Sequence, residues 1–240
     1  MDIRCEKKGS AAVAWLRGTK HRFYEDRYRL LPREIPLVGR QNRGELFAVF
    51  DGMGSAPEGR RAAQEMSDYL LRYYQEPGKY GSSWKDVRQL LLEANQAICD
   101  WGFMPGTDRP LGGCAGTVIW IDEGDLFAFH AGDTVALLIR GNEATQLTRL
   151  HEIDGGIYRY FGLGANLELD VHHLQLEEYD RILVLSDGVT KAFHPKEAAD
   201  FVQKHSDLCR AVSELVHVSR VRGSTDDITA ILIAVEDFGS

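Results

Sequence analysis

Where the apolar runs of this chain stop, carboxylates begin, and that placement constrains the fold more than any other feature. Phe47-Ala48-Val49-Phe50 runs into Asp51-Gly52-Met53-Gly54, and Arg181-Ile182-Leu183-Val184-Leu185-Ser186 runs into Asp187-Gly188. His130-Ala131-Gly132 leads to Asp133, Glu25 and Asp26 precede a strand-like run at 27–31, and Asp226-Asp227 precede an apolar run at 228–235. One Asp-Gly after a strand is an ordinary turn. Five acidic points at the mouths of strands, gathered at one end of a core, would repel one another strongly unless a cation stood among them. All-oxygen donors select Mg²⁺ or Mn²⁺ over Zn²⁺.

The elements around these points follow from apolar periodicity. Strands are predicted at 11–16, 27–31 and 45–50, with a loop rich in Pro, Gly and Arg at 32–44. Ala62, Met66, Tyr69, Leu70 and Tyr73 recur at helical spacing, predicting a helix from just after Ser55 to about Tyr74 with Pro57 in its first turn. Val87, Leu90, Leu91, Ala94, Ala97, Ile98 and Trp101 form the stripe of a second helix, from Trp84 to Trp101, with Ser82 or Ser83 as its cap. Strands return at 116–121, 126–131, 135–140, 144–147, 169–174 and 181–185. Helices at 195–205 and 207–220 and a last strand at 228–235 complete the chain. Strands, two helices, strands, two helices, strand is an α+β order, suited to antiparallel sheets packed between helical layers rather than to a regular βαβ winding.

With 240 residues and no linker, repeat or low-complexity tract, the chain is expected to be a single domain over 1–240. Its formal net charge of −8 repels nucleic acid and anionic membranes, so neither is an expected partner, and the lack of a basic stripe counts against a metal-dependent nuclease. The same field repels phosphorylated substrates, so phosphate chemistry here would need local cations. The apolar run 11–16 is too short and wrongly flanked for a signal peptide, and no run reaches the length of a membrane span; the expected location is the cytoplasm. Cys5, Cys99, Cys114 and Cys209 are far apart and form no CxxC pair. They are expected to be four reduced thiols, with neither a zinc site nor a disulfide framework.

Taken in order, Gly18…Tyr24-Glu25-Asp26, Phe50-Asp51-Gly52-Met53-Gly54, Gly113-Cys114-Ala115-Gly116-Thr117, Ala131-Gly132-Asp133-Thr134, Leu185-Ser186-Asp187-Gly188 and Gly223-Ser224-Thr225-Asp226-Asp227-Ile228-Thr229 resemble the motifs of the metal-dependent protein phosphatases, the PPM or protein phosphatase 2C family. Each motif alone is weak; their shared order across nearly the whole chain is specific. The resemblance implies a four-layer α-β-β-α sandwich, two antiparallel sheets flanked by helical pairs. It implies hydrolysis of phosphoserine and phosphothreonine on proteins by a water activated by two Mn²⁺ or Mg²⁺ ions. Asp51 would bridge the ions, and Gly52 would reach one through its carbonyl. Glu25 would serve the second ion and Asp187 and Asp226 the first, so that Asp51, Asp187 and Asp226 carry catalysis. Asp26 would orient its neighbours, whereas a strand-end cap is the favoured role for Asp227. A cognate Ser/Thr kinase pathway is the implied partner.

The chain also departs from the family pattern. His21 stands where the family has an Arg that grips the substrate phosphate, so His21 or Arg22 is expected to take that role. Asp133 is one ligand of a third ion in many bacterial members, but the position of its companion, four residues past Asp187, is Lys191, whose ammonium is expected to neutralise Asp133 or exclude that ion. The flap region, 149–166, is short, and Ser186-Asp187-Gly188-Val189-Thr190 is also similar to the sporulation stage II phosphatase branch. The other class to weigh is a catalytically weak or inactive phosphatase-fold binding module; the presence of Glu25, Asp51, Asp187 and Asp226 counts against it.

Overall fold

Alternating burial along the strands builds two sheets that each hide both faces. The computed structural model describes residues 2–235. In chain order the elements are β1 (Arg4–Lys8), β2 (Ala11–Leu16), β3 (Arg27–Leu31), α1 (Pro36–Gln41), β4 (Glu45–Gly52), α2 (Gly59–Gln75), α3 (Trp84–Cys99), β5 (Cys114–Asp122), β6 (Asp125–Ala131), β7 (Val135–Arg140), β8 (Glu143–Gln146), β9 (Glu152–Ile153), β10 (Gly156–Ile157), β11 (Asp170–Gln175), β12 (Arg181–Leu185), α4 (Asp187–Thr190), α5 (Pro195–Val202), α6 (Leu208–Val221) and β13 (Ile228–Ala234). One sheet runs β1-β2-β13-β12-β7-β8 and the other β11-β6-β5-β4-β3, with every pairing antiparallel.

On β4, Leu46, Ala48 and Phe50 pack under α2 and α3, while Phe47 and Val49 face the other sheet. On β12, Leu183 and Leu185 pack against α5 and α6, while Ile182 and Val184 meet Phe47 and Val49 in the central core. A one-residue slip in either strand would exchange these faces, so the register is firmly set. The expected α+β sandwich, with its helical pairs outside and its sheets inside, is the fold observed.

Three local expectations need correction. The helix expected after Ser55 starts at Gly59, because residues 56–58 are taken up in turns: Ala56 N donates to Met53 O at 3.0 Å and Glu58 N to Leu111 O at 2.9 Å. Pro57 therefore precedes the helix. Short elements also escaped the periodicity reading: edge strand β1, the one-turn helices α1 and α4, and the hairpin β9–β10. Finally, Cys5 and Cys209 are not reduced thiols but a disulfide with Cα atoms 6.1 Å apart, tying β1 to α6. Cys99 and Cys114 are free, as expected. No helix among the described residues is long and apolar enough to cross a membrane.

Candidate active site

The registers place the acidic residues at one end of the sandwich. Asp51 and Gly52 end β4 opposite Ala115 and Cys114; Leu185, the last residue of β12, lies opposite both Val135 and Ala230. Asp187, Asp133 and Asp226 therefore leave their strands on the same side. Asp51, Gly52, Asp133, Asp187, Asp226, Lys191 and His21 line one open cleft of about 520 Å³, with Tyr160 and the β9–β10 hairpin on its far wall.

Two glycines let these segments meet. A Cβ on Gly52 would strike the first turn of α2 at Arg60 N, 2.9 Å away, and the Glu25 carbonyl at 2.9 Å. One on Gly188 would overlap the Asp227 carbonyl. The β2–β3 loop is then fixed by Asp227, which accepts from Gly18 N at 2.5 Å and from Glu25 N at 2.6 Å. Asp227 is thus the anchor of the loop that carries His21 and Glu25, not merely a cap on its own strand. Asp26, fully buried, accepts from Thr229 Oγ1 at 2.5 Å, and Tyr24 meets the same hydroxyl at 2.6 Å.

Burial and crowding of these carboxylates raise the proton affinity of most of them. Burial, then the charges of Asp26, Asp187, Asp133 and Asp226, holds Asp51 well above the usual carboxylate range. Burial and Asp227 do the same for Asp26. Burial and Asp187 push Asp133 up to about 7. Asp187 is raised by burial even though Lys191 opposes the shift. Asp226 is the exception: burial acts against its charge, but the Lys191 hydrogen bond and charge prevail and lower it.

Two basic side chains, Lys191 and His21, face this acid field. Lys191 does not pair with Asp133; its Nζ lies 2.5 Å from Asp187 Oδ2 and 2.6 Å from Asp226 Oδ2. As the fourth residue after Asp187, it rises over that carboxylate from the single turn of α4. His21 directs Nδ1 to Asp227 Oδ2 at 3.2 Å and Nε2 toward Asp226 Oδ1 at 3.6 Å, with Glu25 3.9 Å away. Burial disfavours its charge, yet the Asp227 hydrogen bond and the surrounding carboxylates raise its pKa. Both ring nitrogens face acids, so His21 as placed serves the cluster. Arg22 is outside the cleft lining, its guanidinium 5.2 Å from the Phe23 ring.

Beneath Asp133 lies a buried hydrogen-bonded chain that no motif or spacing announces. Thr117 Oγ1 contacts His130 Nδ1 at 2.9 Å and Thr134 Oγ1 at 2.7 Å, while His130 Nε2 reaches Gly132 O at 3.0 Å. Burial and the nearby His151 lower the His130 pKa to about 4, keeping the ring neutral as a prop for the turn that carries Asp133.

The donor set suits a hard divalent cation. Asp26 Oδ1, Asp133 Oδ1 and Asp187 Oδ1 are buried with no hydrogen-bond partner, and buried, unpaired carboxylate oxygens are costly unless a cation or protons satisfy them. Among the described residues no three acids, histidines or cysteines already stand as a closed cage. The Lys191 ammonium holds the point on which Asp187 and Asp226 converge.

A sequence profile of the family described as Protein phosphatase 2C matches residues 35–222. "Probable protein phosphatase 2C 44" of Oryza sativa subsp. japonica is 27% identical over 223 residues, covering 78% of this chain and 67% of that protein. "Integrin-linked kinase-associated serine/threonine phosphatase 2C" of Mus musculus is 25% identical over 249 residues, covering 80% of this chain and 63% of that protein. The chain thus spans about two-thirds of the length of these relatives. A structure of a bacterial serine phosphatase superposes with a TM-score of 0.80 at 19% identity, covering 94% of this chain and 97% of that one. The serine/threonine phosphatase PstP/Ppp of Mycobacterium tuberculosis superposes with 0.77 at 21%, covering 98% and 100%. At these identities the superpositions establish a shared fold.

Proposed function

Because the chain belongs to the protein phosphatase 2C family, and is thereby a metal-dependent protein-serine/threonine phosphatase, we propose that the cleft at the strand ends is its active centre and takes two Mn²⁺ or Mg²⁺ ions. The observation that carries this reading is the convergence of Asp51, Asp187, Asp226 and Asp133 from both sheets on one cleft, with buried carboxylate oxygens left unpaired. Asp51, Gly52 through its carbonyl, Glu25, Asp187 and Asp226 are the residues that would hold the ions. When bound, such ions acidify a water and offset charge on the phosphoryl oxygens.

The chain's own residues do the rest. Asp227 and Asp26 hold the β2–β3 loop against the start of β13, which sets Glu25 and Asp226 on either side of His21. Asp51 is held at the end of β4 by its pairing with Ala115 of β5, one residue beyond the Arg27–Phe50 pair that β4 makes with β3. Tyr160 and the β9–β10 hairpin form the far wall of the cleft. With the four carboxylates all present, an inert binding module is not favoured. The substrates are phosphoproteins; their origin in a Ser/Thr kinase pathway and a cytoplasmic setting are part of the proposal.

The test is turnover of p-nitrophenyl phosphate and of a phosphoserine peptide with Mn²⁺, with Mg²⁺ and with EDTA. Hydrolysis should need the metal and stop with the chelator. Full turnover in EDTA, or none with either metal, would refute the reading.

A further inference from the structure

Beside the acidic cleft lies a patch of the opposite sign. Phe23, 49% exposed, has the Arg22 guanidinium 5.2 Å and the Arg60 guanidinium 4.8 Å from its ring. Arg27 adjoins them, donating from Nε to Gln64 Oε1 at 2.5 Å and from Nη1 to the Asp26 carbonyl at 2.7 Å. Burial and the charge of Arg60 lower the Arg27 pKa, as two guanidinium groups close together require. Among the described residues none of the three arginines is ion-paired with a carboxylate, whereas Arg29 in the same groove is matched by Asp68 and Lys8 by Glu6. In a chain of net charge −8, three uncompensated arginines around an exposed phenyl ring are a costly arrangement without an anionic partner.

The patch adjoins the cleft through the β2–β3 loop and Gly52. Phe23 lies midway in sequence between His21, which lines the cleft, and Glu25, and the Arg60 backbone and the Glu25 carbonyl both lie within van der Waals reach of a Cβ placed on Gly52, another lining residue of the cleft. Phe23, Arg27 and Arg60 form one end of a groove of about 680 Å³ that runs along β3 and α2. A chain whose phosphoserine enters the cleft would lay its neighbouring residues along this groove, since each extended residue spans only about 3.3 Å.

We propose that this groove seats the acidic flank of the phosphoprotein substrate, carboxylates meeting Arg27 and Arg60 and an aliphatic or aromatic neighbour covering Phe23. This rests on the phosphatase reading of the adjoining cleft. It makes the enzyme selective for phosphoserine in an acidic context, and it explains how a strongly negative protein recruits a negative substrate: attraction is local, at the rim, while the overall field repels.

The test compares two phosphoserine peptides, alike except for acidic or neutral flanking residues, on wild type, Arg60→Ala and Arg60→Glu. In wild type kcat/KM should be about fivefold higher for the acidic peptide, through KM, and the advantage should shrink with salt, as for exposed ion pairs. Arg60→Ala should reduce the preference and Arg60→Glu abolish or reverse it. All three proteins should turn over p-nitrophenyl phosphate alike, which also shows that they are folded. Equal kcat/KM for the two peptides in wild type, or a preference kept in Arg60→Glu, would overturn the proposal. If wild type hydrolyses neither peptide nor p-nitrophenyl phosphate, the phosphatase reading has failed. Fluorescence anisotropy of the same labelled peptides then decides the groove separately: tighter binding of the acidic peptide that Arg60→Glu removes upholds it, and equal binding ends it.

Discussion

Replacing Lys191 by methionine removes the ammonium and keeps much of the stem. The ammonium bonds to both Asp187 and Asp226, so an ion entering between those carboxylates must first displace it. The Lys191 side chain is 50% exposed, and solvent screening limits each such pair to at most about 1 kcal/mol. Two pairs thus come to about 1–2 kcal/mol, close to a tenfold change in an equilibrium constant. That free energy should be read twice. Metal-free Lys191→Met should lose about 1–2 kcal/mol in urea unfolding, and it should bind Mn²⁺ about tenfold more tightly by calorimetry, because binding no longer costs those pairs. The two changes belong to one thermodynamic cycle and should agree in size. Lys191→Asp goes further, placing a carboxylate where it could join Asp133 and recruit an additional, weak ion; wild type should bind two at most. Unchanged Mn²⁺ affinity in Lys191→Met, or ordered Mn²⁺ on Asp133 in a wild-type crystal, would refute the reasoning.

Three further outcomes follow from the same geometry. Asp51→Asn should lower turnover at least about 10²-fold while the protein stays folded, the scale of losing a central electrostatic element; near wild-type activity would remove Asp51 from the centre. Asp133 holds its proton up to about pH 7 in the fold but only to about 3.8 when unfolded, so the folded state binds more protons between those values and stability falls as pH rises through 7. Above about pH 6.5 the lowered His130 and His151 no longer act in the other direction; metal-free wild type should therefore lose stability relative to Asp133→Asn between about pH 6 and 8, and parallel urea midpoints would contradict this. Asp227→Ala strips the partner from Gly18 N and Glu25 N; it should cost about 2–4 kcal/mol and weaken Mn²⁺ binding about 10- to 100-fold, and a change in neither would show that the loop is held by other means.

The parts of the site that were legible in the sequence are those whose signal is local. Phe47 to Phe50 alternates between the two cores, and its abrupt end at Asp51 marks a strand mouth without any knowledge of the partner strand. Ser82 and Ser83 are readable as candidate caps because they directly precede an apolar helical stripe; the structure uses Ser83, which Asp86 completes as a capping box. What was not legible depends on segments that meet only in three dimensions. Cys5 and Cys209 are 204 residues apart, and no spacing rule pairs them. Asp227 reads as a strand cap until Gly18 and Glu25 arrive from the other end of the chain. Arg60 and Phe23 belong to different elements, so their stacking and the groove beyond it leave no trace in either segment.

Lys191 shows where local information was present but weighed wrongly. Its place relative to the family pattern points to Asp133, the carboxylate whose companion it replaces. Its spacing from Asp187 points elsewhere: four residues along a helical turn set an ammonium directly over a carboxylate. The field decides between them. Asp133 has one charged acid as its main neighbour and keeps its proton to about 7, so near neutrality it offers an ammonium only part of a charge. Asp187 and Asp226 together offer two oxygens at ion-pair distance, and Asp226 is held ionised. The ammonium goes where the negative charge already is. With His21 on Asp226 and Asp227, Lys191 lets an acid cluster drawn from three loops and two sheets hold together without a metal. On the proposed reading of the cleft, an ion entering between Asp187 and Asp226 would exchange with this ammonium rather than fill an open cage.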